Sequence, residues 1–147
     1  MQEQRKEEKK LNIKLNDYAI APQRMHGTDA GLDLYSPYDF EIEPRGRYMV
    51  GTGVCIELPK NTVGYIRSKS GLMLKKAILV DGTIDEGYTG QIGVIMFNLS
   101  NEKVQFKRGD KIAQLVVQPV LYPGMIVVEK LADSERGENG FGSTGDR

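Results

Sequence analysis

The chain reads as an all-β domain, a sandwich or barrel with one short helix. Two patterns in its 147 residues point there. Short apolar stretches rich in Val and Ile recur along the chain: Tyr48–Val50, Val54–Leu58, Val63–Ile66, Ile92–Leu99, Ile112–Val117 and Met125–Val128. Gly, Pro, Asn and Asp punctuate them, as expected of strands joined by tight turns. Only Ser70–Lys76 (SGLMLKK) favours a helix, and it is too short for more than a turn or two.

Taken in order, residues 1–10 (MQEQRKEEKK) mix both charges without an apolar stripe, so a solvated, mobile arm is expected. A β domain is expected over residues 11–135. Within it, Ala30-Gly31-Leu32-Asp33-Leu34 places a carboxylate in an apolar strand, either a satisfied buried Asp or part of a metal site. Cys55 occupies a small-side-chain position in the run Val54–Leu58. Arg67-Ser68-Lys69-Ser70-Gly71 opens the helix, where an ordinary Ser cap and an anion site are both compatible with the sequence.

Asp81–Gly90 (DGTIDEGYTG) carries Asp-Gly and Glu-Gly pairs that read as hairpin turns. Asp85 lies between Ile84 and Tyr88, where partial desolvation would suit a base. Ile92–Leu99 is apolar on both alternating faces, a strand covered on both sides by its own fold or by another subunit. Gly109-Asp110-Lys111 turns into a strand in which Gln114, between Ala113 and Leu115, needs a polar partner. Residues 136–147 hold four glycines and little to bury, a flexible arm until something binds it.

Composition narrows the function. Twenty basic and 20 acidic residues balance, which argues against a nucleic-acid binder. One cysteine forms no disulfide framework, and neither Cys55 nor His26 has a partner spaced for zinc. Without an apolar run of membrane length or a signal-peptide core, no membrane association is expected. The location expected is intracellular: cytoplasmic, or nuclear for a eukaryotic or viral source. In the tail RGENGFGSTG, glycines let backbone N–H groups approach phosphate, Ser143 and Thr144 add hydroxyls, Arg136 offers a bidentate cation and Phe141 a flat face for a base.

Five segments in this order, AGLDLYS (30–36), RSKSGL (67–72), DGTIDEGYTG (81–90), RGDKIAQLV (108–116) and RGENGFGSTG (136–145), resemble the five motifs of the trimeric dUTPase family. The resemblance covers about residues 15–145. It implies a jelly-roll-like subunit in a homotrimer with shared active sites. It also implies Mg²⁺-dependent hydrolysis of dUTP to dUMP and pyrophosphate, which limits uracil in DNA and supplies dUMP for dTMP synthesis. Asp33 would act on the metal through water. Ser68, Lys69, Ser70 and Gly71 would bind substrate, with Ser70 and Gly71 at the α/β-phosphates and Gln114 on a phosphate oxygen.

The resemblance makes Asp85 the residue that deprotonates the attacking water. Asp81, Gly82, Thr83 and Ile84 would read uracil through backbone groups, and Tyr88 would pack on deoxyribose. Arg136 would bind the γ-phosphate, Phe141 would stack on uracil, and Gly142, Ser143 and Thr144 would complete the phosphate cradle. Two positions depart from the family pattern. Lys69 stands where Arg is usual, keeping charge but losing the planar fork. Asn139 stands where Gly is common, tolerable in a left-handed conformation. A dCTP deaminase on the same fold would lack the fifth motif and the Ile-Asp-x-x-Tyr hairpin; a dUTP sensor without turnover finds no missing chemical group to support it.

Overall fold

Strand follows strand through most of the chain, in a computed structural model that describes residues 9–142, 144 and 145. The strands are β1 (Asn12–Leu15), β2 (Gly31–Tyr35), β3 (Phe40–Ile42), β4 (Arg47–Glu57), β5 (Thr62–Arg67), β6 (Ile78–Ile84), β7 (Gln91–Asn98), β8 (Val104–Phe106) and β9 (Lys111–Pro119). The single helix, α1, spans Ser70–Lys76 between β5 and β6, where the sequence places it. It ends on Ala77 in the left-handed conformation (φ 53°), whose N–H caps the last turn. Most of the charged arm expected at residues 1–10 lies outside the described residues, and so does Ser143.

A seven-stranded sheet runs β1-β4-β7-β6-β5-β9-β2, and β3 pairs with β8 alone. Every ladder is antiparallel. The sheet changes direction at β6. Ile78–Val80 pair with β7, whereas Asp81–Ile84 pair with β5. Curling at that strand brings both halves around one core, which includes Val50, Val94, Met96, Ile112 and Leu115, all fully buried. The β3–β8 ribbon packs against it with Phe40 stacked on Phe106 at 4.8 Å and on Tyr48 at 4.7 Å.

Two sequence expectations change, and a third is narrowed. Tyr48–Val50 and Val54–Leu58 belong largely to one 11-residue strand, β4, broken by an irregularity between Gly51 and Cys55. Gly53 (φ 71°) supplies the required backbone there, and Thr52 donates its hydroxyl to the Ile92 carbonyl. On the single subunit β7 is covered on one face, so of the two covers that the sequence allowed only another subunit remains for the other: Ile92, Val94, Met96 and Asn98 are buried while Ile95 and Phe97 stay about 40% exposed. Beside these two lie exposed Met49 and Leu79, their cross-strand partners, forming an outward apolar strip. Met125–Val128 forms no strand. Beyond Pro119 the chain leaves the ladder, and Met125, Ile126 and Val127 are almost fully exposed.

Leu115 lies at the centre of the core, with its side chain over Gly64. Leu115→Ala is expected to cost about 2–5 kcal/mol, lost burial plus a residual cavity. Denaturant unfolding at fixed protein concentration measures it; a cost under about 1 kcal/mol would mean that the layers close over the gap.

Candidate active site

Four of the five segments meet on one line across the sheet. Asp81 on β6 is opposite Arg67 on β5, Arg67 is opposite Gln114 on β9, and Gln114 is opposite Asp33 on β2. Directly opposed residues share a face, so this row presents carboxylate, guanidinium, amide and carboxylate over three strand intervals, about 14 Å. The Arg67–Asp81 ion pair at 3.2 Å confirms the common face at one end. Two clefts flank the row.

The first cleft is the wedge opened where β6 parts from β7. Its volume is about 410 Å³, with a buried floor of Ile66, Ile84 and Ile92. Asp81, Gly82, Thr83, Ile84, Asp85 and Tyr88, all named from the sequence, line it. The position of the hairpin needs correcting. Asp81-Gly82 lies within β6, and the turn is Asp85–Tyr88, closed by the Tyr88 N–H donating to the Asp85 carbonyl at 3.1 Å. Glycine at 87 (φ 92°) turns it. Because β7 abandons β6 after Val80, the β6 edge over Asp81–Ile84 has no β7 ladder partner, leaving backbone donors and acceptors facing the wedge. The Tyr88 hydroxyl donates to the Gln91 carbonyl at 2.9 Å, holding its ring at the cleft margin.

The second cleft, about 370 Å³, is lined by Asp33, Lys69 and Gln114 together with Gly31, His26, Asp29 and Lys111. Asp33 is 4% exposed, and two ammonium groups meet its carboxylate: Lys69 at 2.6 Å and Lys111 at 3.4 Å. Gln114 Nε2 donates to the Ser68 carbonyl at 3.0 Å, the partner that its half-buried amide required. Its side chain lies over Gly31, where any Cβ would come within 2.2 Å of Gln114 Oε1. Ser68 Oγ accepts from the Val80 N–H at 2.7 Å and donates to the Val80 carbonyl at 2.9 Å, which makes it a brace for the loop rather than a hydroxyl open to a ligand. Ser70 and Gly71 form the exposed first turn of α1. At the rim, the hydrogen bond with His26 holds the Asp29 carboxyl below its ordinary range.

Asp85 reaches the margin of the wedge but is exposed on the single subunit, without the partial desolvation that its neighbours suggested. Its neighbour Glu86 is held more firmly. Glu86 Oε1 accepts from the Asn61 N–H at 2.6 Å and from the Tyr122 hydroxyl at 2.8 Å. These bonds, Tyr122 first, hold the Glu86 carboxyl below its ordinary range, and Glu86 raises the Tyr122 phenol.

The described residues of the C-terminal arm join neither cleft on their own subunit. Arg136 donates from Nε to the Asn139 carbonyl at 2.7 Å, so the arm curls on itself. Phe141 is fully exposed, and Gly142 and Thr144 are exposed beside it. Asn139 has no left-handed backbone; Gly137 (56°), Gly142 (77°) and Gly145 (79°) take the positive φ values. Among the described residues, those of the arm are thus the part of the five segments that the fold does not bring to the row.

Sequence reasoning overlooked Arg67 as a member of the row, Lys111 as the second cation on Asp33, and the Glu86–Tyr122 contact. Lys111 lies three residues before Gln114 on the same strand, a spacing that an ideal alternation puts on opposite faces. The register shift between Leu34 and Tyr35 lies where Lys111 pairs with Tyr35. Its local signal was only a lysine after a turn.

Known proteins resemble this chain in sequence and in fold. The sequence model described as dUTPase matches residues 17–145. The deoxyuridine 5'-triphosphate nucleotidohydrolase of Clostridium novyi (strain NT) is 47% identical over 140 residues, 93% of this chain and 99% of that protein. The mitochondrial protein of the same name from Homo sapiens is 45% identical over 133 residues, 90% of this chain and 53% of that protein. Among solved structures, Staphylococcus bacteriophage 80alpha dUTPase with dUPNHPP aligns with a TM-score of 0.88 at 31% identity, covering 92% of this chain and 98% of that one. A mutant dUTPase from phage phi11 of S. aureus, described by the coordination of a structural Mg(II) ion, aligns with a TM-score of 0.78 at 29% identity, covering 83% of this chain and 98% of that one. With a family match over nearly its whole length and close relatives in both comparisons, the chain belongs to the dUTPase family.

Proposed function

We propose that the chain hydrolyses dUTP to dUMP and pyrophosphate by in-line attack of water on the α-phosphorus, limiting uracil in DNA and supplying dUMP for dTMP synthesis. The observation that carries this reading is the β6–β7 wedge, sized for a nucleoside, with a free backbone edge on one wall and Asp85 at its margin. Asp85 takes a proton from water, the water oxygen bonds to the α-phosphorus, the bond to the α–β bridging oxygen breaks, and pyrophosphate leaves.

Uracil enters the wedge, where backbone groups of Asp81, Gly82, Thr83 and Ile84 read its edge; cytosine reverses the donor and acceptor pattern. The narrow wedge opposes a thymine methyl, and Tyr88 opposes a 2′-hydroxyl. The triphosphate lies toward the second cleft, where Lys69, Ser70, Gly71 and Gln114 contact its oxygens. Lys69 acts as a point charge without the fork of an Arg.

Among the described residues, no three His, Cys, Asp or Glu side chains stand together as a metal cage. A cleft with one buried carboxylate fits Mg²⁺ that takes its ligands from triphosphate and water, with Asp33 acting through water. Bound there, Mg²⁺ would neutralise phosphate charge.

The assembly is a homotrimer with shared sites. The outward strip of Met49, Leu79, Ile95 and Phe97 and the exposed apolar segment around Met125–Val128 support it, since both need a covering partner. Residues 136–147 are then a flexible arm over a neighbouring site: Arg136 takes the γ-phosphate, Phe141 stacks on uracil, and Gly142, Ser143 and Thr144 close on the phosphates. Among the described residues, no helix is long and apolar enough to cross a membrane.

A substrate panel tests the reading. Pyrophosphate release from dUTP should exceed that from dCTP, dTTP or UTP by about 10²-fold or more in kcat/KM, and should require Mg²⁺. Equal turnover of dUTP and dCTP would sink the specificity, and ammonia release from dCTP would point to a deaminase.

A further inference from the structure

We propose that Glu86 is a positioning residue that ties the turn carrying Asp85 to the chain just after β9, so that placing the base and anchoring the segment that leads to the C-terminal arm are one structural event. This rests on the reading of Asp85 as the base.

The contacts close a ring. Glu86 Oε1 accepts from the Asn61 N–H at 2.6 Å. The Asn61 carbonyl accepts from the Val120 N–H at 2.9 Å, one residue after β9 ends. Two residues later the Tyr122 hydroxyl returns to Glu86 Oε1 at 2.8 Å. Asn61 makes both of its bonds from a left-handed backbone (φ 60°), a conformation that Asn tolerates better than most residues. The ring therefore joins the β4–β5 turn, the β6–β7 turn and the point where the chain leaves β9.

Asp85 lies between two anchors. On one side Ile84 is buried in the core and paired with Gly64; on the other Glu86 is held by the ring. Asp85 and Tyr122 also line one shallow cleft together with Glu86 and Thr83. Glu86, Asn61 and Tyr122 are all solvent-exposed, so the bonds add little to global stability. Their consequence is local: without them the turn between Ile84 and β7 keeps only its own Tyr88–Asp85 and Tyr88–Gln91 hydrogen bonds, and a displacement of about 1 Å at a reacting group can cost on the order of 10²-fold in rate. The phenol, raised by Glu86, stays a proton donor, and the carboxylate, lowered by Tyr122, stays an acceptor.

The test uses the full chain carrying Glu86→Ala, Tyr122→Phe, the pair together, and Glu86→Gln, with sizing and circular dichroism to establish assembly and fold. Glu86→Ala and Tyr122→Phe should each lower kcat about tenfold while KM stays within about threefold. The double variant should be no worse than the poorer single one, since both break one ring. Glu86→Gln should recover most of kcat, because an amide oxygen can accept both hydrogen bonds. Wild-type kcat in folded Glu86→Ala, losses that multiply in the pair, or a Glu86→Gln loss as large as that of Ala would each overturn the proposal. If Glu86→Ala misfolds, Tyr122→Phe, which removes one exposed hydroxyl, decides it by the same kcat criterion. An Asp85→Asn enzyme that keeps its activity would instead remove the base itself, a failure separate from these outcomes.

Discussion

Asp85→Asn is expected to lower dUTP hydrolysis by about 10²- to 10⁴-fold, the range supplied by a positioned general base. Binding of a non-hydrolysable dUTP analogue should stay within about threefold, because the substitution preserves shape and removes only the proton acceptor. The structure favours a clean result. Among the described residues the Asp85 side chain makes no hydrogen bond or ion pair, and the turn is closed by its backbone carbonyl. Asparagine can therefore occupy the position without breaking a contact that holds β6. Single-turnover kinetics with dUTP, read beside analogue affinity, separates chemistry from binding. A residual rate above about a tenth of wild type would assign the proton to another group.

Deleting residues 136–147 should leave the fold and the trimer intact while lowering kcat/KM for dUTP by about 10²-fold or more, through lost phosphate contacts and lost exclusion of water. The arm is built for removal without structural damage. Among the described residues its side-chain hydrogen bonds are local: Arg136 donates to the Asn139 and Gly140 carbonyls, and one bond, from the Gly137 N–H to Ser134 Oγ, reaches back two residues before the arm. The core residues all precede it, the last of them being Leu115. Light scattering and circular dichroism check assembly and fold, and a substrate titration measures the loss. A truncated trimer with normal turnover would mean that the arm serves something other than the site. The deletion leaves Tyr122 in place, so it probes closure separately from the Glu86 ring.

Much of the site is legible along the chain because each motif carries its own chemistry. Asp33 stands out as a carboxylate within an apolar strand, Gln114 as an amide between Ala113 and Leu115, and the tail as glycines around one Arg and one Phe. What cannot be read is which residues stand opposite one another. Asp33, Arg67, Asp81 and Gln114 are far apart in sequence, and their alignment depends on strand register, which burial of one face of each strand sets. The Asp81-Gly82 pair shows the same limit. It has the composition of a hairpin turn, yet it lies within β6 because β5 pairs with it there. The local preference lost to a tertiary ladder.

Lys69 is a further case. Its sequence neighbours advertise a phosphate loop, and charge alone said that it could meet an anion. Only the packing of β2 and β9 beside the start of α1 shows that it reaches the buried Asp33 carboxylate, with Lys111 on the other oxygen. Ser68 looked equally available in sequence, but its hydroxyl is consumed by Val80.

By itself, the sequence determined the all-β class, the helix at Ser70–Lys76, the five chemical segments and their order, because these follow from alternation, turn residues and local composition. Tertiary packing is what makes β6 change partner at Asp81, opens a wedge there, aligns four segments in one row, and leaves Met125–Val128 and the described residues of the arm uncovered on their own subunit. The physical reason is that a local pattern reports a residue's own backbone and burial preference. Partner choice is a cooperative outcome of burying every apolar face at once, so no single segment contains it.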